Sequence, residues 1–311
     1  MVDAQEKTTK PGEHVPDDFV DQMIAAGVHF GHRASRWNPL MKKFIYAKRN
    51  LIHIIDLKET VRGMLRAVAF LEGVSRNGGE VLIVGTKWQA QELVAEMATE
   101  AGMHWVTERW LGGTLTNHGT IRSRLKRLEE LEELETTGGI ENYSKKMQVR
   151  LRREKDKVFR NLQGLRKMDR LPTALIVVDA RREHIALNEA NSLKIPTLAI
   201  IDTDSDPTLV DIAIPGNDDA QRSLELLLTQ LGDAVKRGKA HFATATAQRS
   251  RAAERPAGGG KPRTTPAEAE APAAAPAPAV APKLGIRKVS IPDANAAKEG
   301  AEGAPPAAPE S

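Results

Sequence analysis

Between Arg33 and Arg49 the chain reads RASRWNPLMKKFIYAKR. Arg33, Arg36, Lys42, Lys43, Lys48 and Arg49 put six cations there, with no acidic residue among them. Trp37, Asn38, Phe44 and Tyr46 are interleaved. Cations neutralise phosphates, aromatic and guanidinium planes stack on unpaired bases, and an Asn amide reads base edges or a 2′-hydroxyl. The Asn38-Pro39 step and the lack of a long aliphatic run predict an irregular, exposed segment. Aromatics are only 4% of the chain, so some of these rings are expected as anchors in the core. The same chemistry recurs at Lys87-Trp88 and in ERWLGGTLTN, which holds Arg109, Trp110, Thr114 and Asn117. A third concentration lies in Lys145–Arg170, with eleven basic residues against three acids. Lys145, Lys146, Arg150 and Arg153 lead that segment. Together these residues are the expected RNA-binding surface.

Other chemistries fit less well. VLIVGTK and the Gly112-Gly113 pair resemble glycine turns after strands, which can offer backbone N–H groups to phosphate. Neither has the spacing of a dinucleotide or phosphate-binding loop. His29 and His32 stand three apart, a spacing a metal could use. The stretch from Gly27 to Arg49 adds no acidic ligand, so the pair is a weak metal candidate and local hydrogen bonding or stacking is the expectation. The acids of DTDSDPTLVD lack the glycine and terminal glutamate of a calcium loop and read as a capped turn after a strand. No serine-nucleophile elbow, zinc-protease motif or paired-carboxylate motif is present. No catalytic residue and no cofactor is expected.

The elements that must carry these residues alternate. Short, mostly continuous apolar runs occur at Ile52–Ile55, Val81–Val84, His104–Val106, Leu175–Val178, Leu198–Ile201 and Ile212–Ile214. Such runs suit strands buried on both faces. Helical periodicity fills Thr60–Asn77, Gln89–Ala101, Arg182–Leu193 and Asp218–Lys236. Strand–helix alternation predicts an α/β fold, a parallel sheet with helices on both sides. Ile121–Glu135 and Lys145–Met168 break the rhythm. Each carries a narrow apolar stripe, and Gly138-Gly139 lies between them, so they predict an antiparallel helical hairpin spanning about 119–170, with Leu125, Leu128, Leu151, Leu162 and Leu165 in its seam.

The whole chain has 311 residues, 45 Lys plus Arg against 41 Asp plus Glu, and no cysteine. Disulfide frameworks, thiolate metal sites and cysteine nucleophiles are thereby excluded. No apolar run approaches the ~18 residues of a membrane span, and Met1–Pro16 lacks a secretory apolar core, so a cytoplasmic protein is expected. Residues 1–12 read as a flexible tail, 13–240 as the α/β domain and 241–311 as a disordered Ala/Pro-rich tail. Within that tail Leu284–Ile291 could act as a docking peptide.

These residues resemble a known family. AAGVHFGHRASRWNP, NLIHIIDLKET, VLIVGTKWQAQ, ERWLGGTLTN, PTALIVVDARREHIALNEANSLKIP and DTDSDP followed by IPGNDDAQRS occur in the order found in bacterial small-subunit ribosomal proteins of the S-two family. The likeness runs from about Val15 to Lys236; Ala47-Lys48, Leu51, Trp88 and His118 depart from its usual pattern. The resemblance implies a flavodoxin-like three-layer α/β/α sandwich on a five-stranded parallel sheet, with an inserted α-helical coiled-coil hairpin. It also implies a non-enzymatic constituent of the 30S subunit that supports translation. That constituent binds 16S rRNA between head and body, helps recruit ribosomal protein S-one among other small-subunit proteins, and lies near mRNA. It is not expected to form a homo-oligomer or meet a membrane. A nucleotide-dependent enzyme and a free mRNA-binding regulator are the competing readings; the first lacks a phosphate-loop spacing, and the second predicts sequence-selective binding to single strands.

Overall fold

The computed structural model describes residues 19–253, with side chains to 247. The expected flexible N-terminus, the rest of the Ala/Pro-rich tail and the Leu284–Ile291 peptide lie outside the described residues. Five parallel strands form the main sheet: β4 (Val81–Val84), β5 (His104–Val106), β6 (Ala174–Val178), β7 (Thr197–Ile201) and β8 (Ile212–Pro215). Their spatial order is β5-β4-β6-β7-β8. Counted along the sheet's own strands this is the 2-1-3-4-5 winding of flavodoxin-like folds. Every residue of β4, β6 and β7 is buried, which is why those runs, apart from Thr197 at the start of β7, are apolar without alternation.

The two faces of the sheet carry separate cores. Val81, Ile83, Ile176, Val178, Leu198 and Ile200 pack with helices α1 (Phe19–Ala26), α2 (Leu57–Arg76), α3 (Trp88–Glu100) and α7 (Gln221–Ala253). Leu82, Val84, Leu175, Val177, Ala199 and Ile201 face the opposite way, against α6 (His184–Ser192) and the bases of α4 (His118–Thr136) and α5 (Lys145–Leu162). Three layers result. Gly63 of α2 sits so close to β8 that a Cβ there would lie 2.4 Å from the Ala213 carbonyl oxygen, so no side chain fits between helix and strand.

Three expectations change. Ile52–Ile55 is a strand but not part of the parallel sheet. It is β3, the centre of a small antiparallel sheet between β1 (Phe30–Arg33) and β2 (Ile45–Arg49). The chain reverses at Asn50 and Leu51, whose φ angles are +48° and +63°, the left-handed pair that a two-residue hairpin demands. The Arg33–Arg49 segment is therefore ordered, with strand at both ends and two short 3-10 turns between. At the other end of the chain, α7 continues to Ala253, well past Lys236, where the periodic apolar face fades.

The two inserted helices pack against each other, with α4 ending near Gly138, whose φ is +72°. Leu131, Ile140 and Leu151 form a small cluster near the turn. Leu125, Leu162 and Leu165 are buried as expected, but they belong to the core under the sheet. Gly164 presses against β5, where a Cβ would fall 2.1 Å from the Trp105 carbonyl oxygen. The base of the hairpin is thus built into the domain. Met147, placed on the apolar stripe by its spacing, is exposed. Among the described residues no helix is long and apolar enough to cross a membrane.

Candidate nucleic-acid interface

Met41 and Phe44 explain how a basic segment comes to be rigid. They lie three apart in a 3-10 turn and are buried in the core beneath the sheet. Lys42 and Lys43, between them in sequence, are thrown outward and exposed. Asn38 starts that turn: its Oδ1 accepts from the Leu40 backbone N–H at 3.0 Å, and its own N–H donates to the Thr203 carbonyl at 2.8 Å. The Asn38 amide oxygen is thus engaged in the fold. Trp37 is half-buried and meets the His53 ring at 5.3 Å, and Lys43 Nζ stands 4.7 Å from the Phe44 ring centre. Tyr46 on β2 is 78% exposed, beside exposed Lys48 and Arg49. Among the described residues none of Arg33, Arg36, Lys42, Lys43, Lys48 and Arg49 makes an ion pair with a carboxylate. Six uncompensated cations and one ring therefore stand on a braced surface.

The ERWLGGTLTN loop is organised from below by Glu189 of α6. Its carboxylate accepts from Trp110 Nε1 at 3.0 Å, Gly113 N at 2.8 Å, Leu115 N at 3.0 Å and Thr116 N at 3.2 Å. Burial alone would push this carboxyl up, but these hydrogen bonds outweigh it and hold Glu189 below the usual glutamate range. Trp110 and Thr114 are consequently buried and face the protein, Thr114 bonding the Leu111 carbonyl. As side chains they are not free to touch RNA. Arg109 and Asn117 are exposed, the latter accepting from the Thr120 hydroxyl at 2.8 Å.

Lys87 is the other correction. It lies at the C-terminal edge of the sheet, only 9% exposed, with Nζ 2.8 Å from Asp218, 2.5 Å from Asp219 and 3.8 Å from Asp179. Burial would lower its pKa, but the Asp218 carboxylate and its neighbours hold it above the usual lysine value. The neighbouring Trp88 is 78% exposed instead. Sequence spacing placed Lys87 at a strand end without showing the three carboxylates that converge there from β6 and β8.

His32 belongs to the same acidic corner. Its Nδ1 lies 2.7 Å from Asp202 and its Nε2 3.3 Å from Asp219, and the hydrogen bond to Asp202 raises its pKa to about 9. Asp218 is pushed up to about 7 by burial, then by Asp179 and Asp202, and its Oδ2 has no hydrogen-bond partner. His32, Asp202 and Asp218 bring polar side-chain atoms within 4.8 Å of one another, but a protonated His32 has no lone pair for a metal and Asp218 already pairs with Lys87, so the corner is an ion-pair network. His29 stands apart: it stacks on Phe30 at 4.0 Å, and burial lowers its pKa. The remote carboxylates Asp202 and Asp218 could not be placed beside His32 from local spacing.

The basic segment Lys145–Arg170 is sorted by face. Lys155 and Arg152 pair with Glu135, Arg166 pairs with Glu132, and Arg127 reaches Glu154 at 3.5 Å. Lys145, Lys146, Arg150 and Arg153 are exposed and make no ion pair among the described residues.

Comparison with known proteins agrees with this architecture. The family model described as Ribosomal protein S2 matches residues 23–238. The chain is 54% identical over 237 residues to the small ribosomal subunit protein uS2 of Rhodopirellula baltica, covering 76% of this chain and 91% of that protein. The proteins of the same name from Mycolicibacterium vanbaalenii and Mycobacterium leprae are 51% and 52% identical over 217 residues, each covering 70% of this chain, with 80% and 78% of their own lengths matched. Buried apolar strands, a braced basic segment and these matches make the chain a member of the ribosomal protein S2 family, a structural and non-enzymatic component of the small ribosomal subunit.

Proposed function

We propose that the chain binds 16S rRNA between the head and body of the small subunit and helps to hold ribosomal protein S-one there, close to the path of mRNA. One observation carries the RNA part: six cations on the Arg33–Arg49 segment stand exposed and, among the described residues, unpaired with a carboxylate, beside exposed Tyr46, on a turn anchored by Met41 and Phe44. Uncompensated cations on a rigid surface gain most from phosphate, because no internal ion pair has to break first. Recruitment of S-one rests on the family resemblance. A nucleotide-binding enzyme is disfavoured by charge: Asp179, Asp202, Asp204, Asp218 and Asp219 line the C-terminal sheet edge where a phosphate would have to enter.

The test has two readouts. A sucrose gradient of cell lysate should show the chain co-migrating with small subunits through a moderate-salt wash. In filter binding to 16S rRNA, changing Arg33, Arg36, Lys42 and Lys43 to Ala together should flatten the plot of log K against log salt by about three to four. An unchanged slope removes this segment as the phosphate site.

A further inference from the structure

On α5 the residues Lys146, Arg150, Arg153, Lys157 and Arg160 recur at intervals of four, three, four and three. At ~3.6 residues per turn they fall within an arc of about 80°, and no other residue of the helix shares that arc. All five are exposed, and among the described residues none pairs with a carboxylate. The centre of this stripe lies about 140° round the helix from Leu151, Val158 and Leu162, the side turned toward α4 and the core. Cations near the inner side, Arg152 and Lys155, are neutralised by Glu135. The helix has therefore divided its charge: one set closes the hairpin, the other faces outward and meets no carboxylate among the described residues.

We propose that this outward stripe is a binding rail for the phosphate backbone of double-stranded RNA, distinct from the stacking surface at Arg33–Arg49. The inference rests on the RNA-binding reading above and assigns the two surfaces different ligands. With a rise of ~1.5 Å per residue, the five cations are spread along about 21 Å, one every 4.5 to 6 Å. A ladder of that length matches a continuous charged strand rather than a single small anion. The arc carries no aromatic residue, so it offers no platform for splayed bases, which single-strand sites use. Duplex RNA presents phosphates and sugar hydroxyls and is recognised through them. Tyr46 and Trp37, by contrast, accompany the cations of the other surface.

The test uses the full chain, a mixed-sequence RNA duplex and an oligouridine of equal length. One variant carries Gln at Lys146, Arg150, Arg153, Lys157 and Arg160; a control carries Arg152→Gln and Lys155→Gln. Circular dichroism verifies that the helices persist. The outward variant should bind the duplex at least tenfold more weakly, with the log K against log salt slope reduced by about four, and keep its affinity for oligouridine. The control should keep the duplex slope. Replacing Arg150, Arg153 and Arg160 by Lys should preserve it too, since charge is what the backbone reads. An unchanged duplex slope in the outward variant, or equal losses for duplex and single strand, overturns the proposal while leaving 16S rRNA binding intact. If the unmodified chain binds no RNA at all, the reading beneath it fails as well.

Discussion

Single residues in this protein divide into those that face a partner and those that hold the presenting surface in shape. Glu189 is of the second kind. Its carboxylate gathers Trp110 and three backbone N–H groups, each bond assisted by charge. Glu189→Gln keeps one acceptor but turns an NH2 toward donors, and should cost about 2–4 kcal/mol in urea unfolding. The effect should depend on pH. Because Glu189 is held below the ordinary value of 4.5, its stabilisation is present above that value and is lost as pH falls through its folded pKa. Wild type and the Gln variant should therefore converge in stability in acid; parallel curves down to low pH would sink this account. Lys87 poses a sharper contrast. Lys87→Gln should leave the salt slope of RNA binding unchanged yet cost about 3 kcal/mol, because Asp218 remains buried without its cation. Adding Asp218→Asn should recover much of that loss, and a double-mutant cycle measures it. Spacing alone could mark Lys87 and Trp110 as interesting. It could not show which way Lys87 or Trp110 points, because their partners arrive from Asp218 and Glu189, far along the chain.

At the level of elements, strands were legible where both faces are buried, since β4, β6 and β7 are apolar throughout except for Thr197, whose hydroxyl bonds Asp211. Ile52–Ile55 is also rich in isoleucine, and its place was not legible: pairing direction is set by the turn at Asn50-Leu51, where a leucine occupies a conformation normally left to glycine or asparagine. The end of α7 was hidden for a different reason, since Ala-rich sequence needs little packing to remain helical. The hairpin was legible as a pair of stripes but not as a graded structure. Leu162 lies in the core under the sheet, whereas Leu151 belongs to the three-residue cluster near the turn. Leu162→Ala should lower the global stability by about 2–4 kcal/mol. Leu151→Ala should instead raise amide exchange in residues 126–157 while moving the global urea midpoint little. Equal global losses from the two would show that the hairpin unfolds only with the sheet.

Considered whole, the molecule keeps its charges apart: carboxylates gather at the C-terminal edge of the sheet, while unpaired cations occupy the small antiparallel sheet and the outer side of α5. The net charge of +4 conceals this, and the folded arrangement rather than the sum decides where a polyanion settles. The strand order has a further consequence, and it concerns time. β4 lies between β5 and β6, and β6 begins 90 positions after β4 ends, with the entire hairpin in between. At ~5–20 residues per second of synthesis, β4 must wait about 5–18 seconds before its second neighbour has even been made. During that interval one edge of an apolar strand lacks a partner, which is the circumstance in which nascent chains attract chaperones or one another. Stalled nascent chains should accordingly stay protease-sensitive around β4 until residues 174–178 have cleared the exit tunnel, and become resistant soon afterwards. Protection at shorter lengths would mean that β4 is sheltered by α2 and α3 alone. Removing the hairpin and joining its bases by a short loop should shorten the vulnerable interval by roughly a third to a half at the same synthesis rate.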